Sequence, residues 1–118
     1  MNKEKTYDLI FSMGEACSCS SALRNAGLQN YSYPFDWVYG CTFENRVKFL
    51  TTDFEDFLEL DDLENAEDTI EKTIYKAYRN KKNAMVFNHD FLSDEPFLEA
   101  FFKVKEKYSR RISRLLNQ

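Results

Sequence analysis

The apolar run "YDLIF", Tyr7 to Phe11, is bounded by polar residues and predicts a short buried strand. Ser12 and Glu15 have the Ser-x-x-Glu form of a capping box, which opens a helix near Met13–Ala16. Gly27 in "NAG" closes it. At about 100° per residue, Cys19, Ala22, Leu23 and Ala26 fall on one apolar stripe, while Cys17, Ser21 and Arg24 lie nearly opposite. In "QNYSYPFDWVYG" Pro34 pushes Tyr33 to an extended shape and rules out a long helix. Its tyrosines, its phenylalanine and the single Trp37 predict a packed loop.

"TFENRVKFL" opens on the capping residue Thr42 and has Phe43, Val47 and Leu50 at helical spacing. "DFEDFLEL" repeats that signal with Phe54, Phe57 and Leu58, whereas "DDLENAEDTIEK" reads as a loop or a short helix. "TIYKAYRNKKNAMVFNHDF" has two runs around the polar turn "RNKKN", with Ile74, Lys76 and Tyr78 alternating against Tyr75 and Ala77, which suits a β-hairpin. From Glu95 the period becomes helical: Leu98, Phe101, Lys105, Tyr108, Ile112 and Leu115 share a stripe. Lys103, Lys107, Arg110, Arg111 and Arg114 lie largely off it.

The order strand–turn–helix, helical middle, hairpin and long amphipathic helix predicts an α/β or α+β fold. At 118 residues it is one domain, with 43% apolar and 16% aromatic residues to fill its core. One strand and one hairpin make a thin sheet for so much helix surface, which fits the N-terminal part of a longer domain. The net charge of −4 argues against nucleic acid as a partner. The charge is uneven: ten acidic and no basic residues lie from Phe49 to Glu71, and eleven of sixteen basic residues follow from Lys72, which reads as two opposed surfaces. No run approaches the roughly 18 apolar residues of a membrane helix, so no membrane partner is expected. Three cysteines, an odd number, and no export signal imply reduced thiols in the cytoplasm.

A thiol nucleophile needs a lowered pKa, and a helix start supplies it, so Cys17 is the candidate and Cys19 a packing residue. The sole histidine, His89, is the only imidazole available to it. Metal is not expected, since "CSC" is too tight for a zinc pair and one histidine with Cys41 elsewhere makes no set. The sequence has no P-loop and no Gly-x-Gly-x-x-Gly, so no cofactor is implied. Read alone, Cys17 also suits packing, Asp36 a cap for the turn at Trp37, Trp37 a core anchor, and Gly14 a tight strand-to-helix turn.

Four stretches, "YDLIFSMGEACSCSSALRNAGL", "SYPFDWVYG", "FNHDF" and "KEKYSRRISRLL", resemble a bacterial domain-of-unknown-function family labelled "putative papain-like cysteine peptidase". The resemblance covers both ends of the chain and is similar to the N-terminal part of that domain. It implies a cysteine hydrolase or acyl transferase in which Cys17 attacks and His89 serves as base. Asp36 is the preferred orienting residue over Asn88 and Asp90, because Asp90 adjoins His89 and strand neighbours face opposite ways. In papain-like enzymes the orienting residue follows the histidine, so Asp36 departs from that order. Ser12, Gly14, Arg24, Trp37 and Asp90 are assigned to binding a small-molecule or peptide substrate. Gly14 would admit a substrate oxygen to the amides of the helix start. The alternative is a non-catalytic module that binds an anionic sugar or nucleotide group at the Gly14 turn. A third reading makes Ser12 or Ser18 an esterase nucleophile.

Overall fold

The computed structural model describes residues 9–13, 17–66 and 74–117, with Cys17 described by its backbone alone. The alternating runs on either side of "RNKKN" pair as an antiparallel hairpin, β3 (Tyr75–Asn80) with β4 (Val86–Leu92). β1 (Val38–Tyr39) adds to β4, and β2 (Leu63–Asn65) adds to β3. The order is β1-β4-β3-β2 with every pair antiparallel, so the fold is the α+β form of the expectation. Among the described residues three helices accompany the sheet: α1 (Cys17–Asn25), α2 (Phe43–Thr51) and α3 (Phe97–Leu116). Among the described residues no helix is long and apolar enough to cross a membrane.

The helical period from Glu95 becomes α3, which buries Ala100, Phe101, Val104, Tyr108 and Leu115. Leu98, expected on the buried stripe, is exposed because Phe97 takes the contact with Phe91 instead. One sheet face and α3 enclose an aromatic core of Phe35, Phe49, Phe54, Phe57, Phe87 and Tyr108. Phe57 sits at its centre, with ring centroids 5.1 Å from Phe49, 5.5 Å from Tyr108 and 5.7 Å from Phe87. The opposite sheet face carries a smaller cluster of Ala66, Ala77 and Val86 with Tyr39 against it.

The stop at Gly27 follows the sequence closely. Leu28 N donates to Leu23 O and Gly27 N to Arg24 O, with Gly27 at φ +72°, the paired bonds of a Schellman motif. Thr42 caps α2 by accepting from Asn45 N at 3.2 Å.

Four further expectations are corrected. The predicted strand at Tyr7–Phe11 is not one over its described residues, Leu9 to Phe11, which follow an irregular path. They pair with no strand among the described residues, and Phe11 packs on the Tyr33 ring at 6.3 Å; Tyr7 and Asp8 lie outside the described residues, as does the helix start expected at residues 14–16. On α1 the predicted apolar seam is half turned away: Ala22 and Ala26 are exposed, Cys19 and Leu23 half-buried, and among its described side chains the fully buried one is Ser20. On α2, Phe43 and Val47 are exposed while Arg46 and Phe49 are buried, because Arg46 donates to Cys41 O and covers the Phe35 ring at 5.3 Å. "DFEDFLEL" is not helical: Asp53, Phe54 and Asp56 have positive φ, which no α-helix accommodates. Phe54, Phe57 and Leu58 are nevertheless buried as expected, and Asn80 Nδ2 donates to the carbonyls of Asp56 and Phe57. The ambiguous stretch after it holds a short 3-10 turn, Leu60–Asp62, and then β2.

Candidate functional site

α1 is described from Cys17 onward. The Cys17 side chain and all of Gly14 lie outside the described residues. Seven residues on, Arg24 returns to within about 20° of the helical phase of Cys17. Arg24 Nη2 donates to Ser32 Oγ at 2.9 Å and lies 3.6 Å from Asp36 Oδ2. Its guanidinium also stands 5.6 Å from the centre of the Trp37 ring, in cation–π range.

Asp36 is fully buried inside the turn that Pro34 starts. Asp36 N donates to Tyr33 O, and Tyr33 N donates back to Asp36 Oδ2 at 2.8 Å. The carboxylate therefore closes the turn that precedes it, rather than capping one that begins at Trp37. Gln29, buried beside it, donates through Nε2 to Asp36 Oδ2 at 2.5 Å and to Tyr31 O at 3.0 Å, with Ser20 Oγ at 3.5 Å. Asp36 Oδ1 is buried with no hydrogen-bond partner among the described residues. A charged carboxylate at this depth is held by converging donors and the nearby guanidinium.

His89 is exposed on β4, away from the aromatic core. Its ring meets Trp37 edge-on at 6.1 Å and Tyr75 edge-on at 6.2 Å. The structure thus strings Asp36, Arg24, Trp37 and His89 into one contact series from the end of α1 to the outer face of the sheet. No described hydrogen bond links Asp36 to His89. Trp37 is only half-buried, so it bridges two polar groups instead of anchoring the core.

Asp90, next to His89, faces the opposite way. Its side chain is 2% exposed, pairs with Lys107 and accepts from Tyr108 O–H at 2.6 Å. Burial and the Asp90 charge push the Tyr108 hydroxyl pKa well above its ordinary value. Ser12 is fully buried, whereas Ser18 is exposed. Cys41 is buried, its thiol 3.5 Å from Thr42 O, and burial raises its pKa against a smaller pull downward from Arg46. That thiol is set up to be inert.

Three participants carry little signal in the sequence. Nothing in the residues around Gln29 marks it, and Tyr75 is only one position of the hairpin alternation. Lys107 lies off the buried stripe in helical phase, yet its long stem carries its ammonium to Asp90. Among the described residues no group of three His, Cys, Asp or Glu side chains could hold a metal ion.

The family described as "Putative papain-like cysteine peptidase (DUF1796)" matches residues 8–118 of the chain. No curated protein and no solved structure matches it.

Proposed function

Because the chain belongs to that family, we propose that it is a cysteine hydrolase or acyl transferase with Cys17 as nucleophile and His89 as base. The Cys17 thiol gives its proton to the imidazole, and its sulfur bonds to the carbonyl carbon of a small or peptide acyl substrate. The leaving amine or alkoxide takes that proton as its bond to carbon breaks. Water, or another acceptor hydroxyl or amine, then displaces the thioester and restores the thiol. On this reading amides at the N-terminal end of α1 receive the oxyanion. Asp36 fixes the "YPFDW" turn, and with Arg24 it sets the Trp37 ring against which His89 rests.

The observation that carries this reading is the contact series from Arg24, on the phase of Cys17, through Trp37 to the chain's only imidazole. The test is the pH dependence of iodoacetamide labelling at each thiol, read by mass spectrometry. Cys17 should label much faster than Cys19 and Cys41, with an inflection below the roughly 8.5 of a free thiol. His89→Ala should move that inflection upward. Equal rates at the three cysteines would sink the proposal.

A further inference from the structure

His89 is on the outer face of the sheet only because β4 is irregular there. Lys76 pairs with Phe91 and Tyr78 with Phe87, so one residue of β3, Ala77, opposes three of β4: Asn88, His89 and Asp90. In a regular strand residues 87, 89 and 91 would share a face. Phe87 and Phe91 both belong to the aromatic core, so regular alternation would drive the imidazole into that core. The bulge reverses the outcome: His89 turns out against Trp37 and Tyr75, and Asp90 turns in beneath α3.

Asp90 has a specific reason to stay inside. Lys107 pairs with one carboxylate oxygen and Tyr108 O–H donates to the other at 2.6 Å. Tyr108 itself cannot shift easily. Its ring lies 5.5 Å from Phe57 and 5.3 Å from Phe87, with the Arg111 guanidinium 5.0 Å away. Sliding β4 back into regular register would strip Asp90 of both partners and strand the Tyr108 hydroxyl in the core.

We infer that Asp90, latched by Lys107 and Tyr108 of α3, is the positioning residue for His89: it holds the β4 bulge that presents the imidazole to Trp37. This deepens the reading of His89 as the base and rests on it for its functional meaning. The geometric claim has its own readout. His89 is the only histidine, so its imidazole C–H resonances are unambiguous, and the two flanking rings give them ring-current shifts and nuclear Overhauser contacts.

In the full chain, Asp90→Ala should abolish the contacts from His89 to Trp37 and Tyr75 and collapse its shifts toward those of free histidine, while melting stays cooperative. Asp90→Asn, which keeps an acceptor for Tyr108, should restore part of both. Should Asp90→Ala not fold, Tyr108→Phe carries the test, with weakened His89 contacts expected. A folded Asp90→Ala or Tyr108→Phe protein with unchanged His89 shifts and contacts overturns the latch. The catalytic reading fails separately, if the resonances respond to Asp90 but the labelling profile of Cys17 is indifferent to His89→Ala.

Discussion

Replacing Asp36 by alanine should be among the most costly single changes in the chain. The carboxylate is fully buried, and its Oδ2 receives Tyr33 N at 2.8 Å and Gln29 Nε2 at 2.5 Å. Each is a charge-assisted bond worth about 1.5–3 kcal/mol. Gln29 keeps Tyr31 O as a partner, at 3.0 Å, so its share falls at the low end. Tyr33 N has only the carboxylate at this turn and would be stranded in a buried residue. The Arg24 contact adds little, since at 3.6 Å with its side chain 31% exposed it is screened by solvent. The sum is about 3–5 kcal/mol, a large part of the roughly 5–15 kcal/mol that holds a domain together. Urea unfolding followed by the fluorescence of Trp37 reads it directly. With a slope of about 2 kcal/mol/M, the midpoint should fall by about 2 M. Asp36→Asn keeps an acceptor for Tyr33 N and should lose about half as much. A midpoint for Asp36→Ala within about 0.5 M of the parent would refute the reasoning. Equal losses for Ala and Asn would shift the weight from the hydrogen bonds to the charge.

Two glycines separate backbone strain from collision. Gly27→Ala puts a side chain at φ +72° with nothing within 4 Å and should cost about 1–2 kcal/mol. Gly40→Ala, at φ +86°, would set Cβ 2.8 Å from Ala84 O as well, so it should cost clearly more; equal thermal melting losses would count against that contact. Tyr108 gives a pH signature. The folded protein holds its phenolic proton more tightly than the unfolded chain does, so unfolding releases that proton. Stability from this group is complete below about pH 10 and is lost as pH rises through the elevated folded pKa. Tyr108→Phe should therefore flatten the alkaline fall in unfolding free energy; an unchanged slope would contradict the buried, Asp90-bonded hydroxyl.

The parts of the fold legible in the sequence are those whose cause is local. The hairpin follows from period-2 alternation around a polar turn, and α3 from a helical period kept over five turns. The end of α1 follows from a glycine that takes positive φ without strain. The residues from Phe54 to Leu58 misled because helical spacing of apolar residues reports burial and not backbone. Their carbonyls are taken by Asn80, more than twenty residues downstream, and no window around residue 54 contains that partner. The outward turn of Phe43 has the same kind of cause, since Arg46 is drawn inward by Cys41 O and the Phe35 ring.

For the candidate site, the sequence by itself determined the inventory and the local chemistry. It offers one imidazole, a cysteine at a helix start, a Pro34–Asp36 turn, and a Trp beside it. Only the tertiary structure decided how these are presented. Asp36 became the buried tie of its own turn, because Gln29 and Tyr33 converge on it. His89 faces Trp37 instead of the core, because α3 pulls Asp90 inward and forces a bulge into β4. Strand alternation is a local rule, and the Tyr108 hydrogen bond to Asp90, with a part-buried Lys107 partner beside it, overrides it from a helix further along the chain.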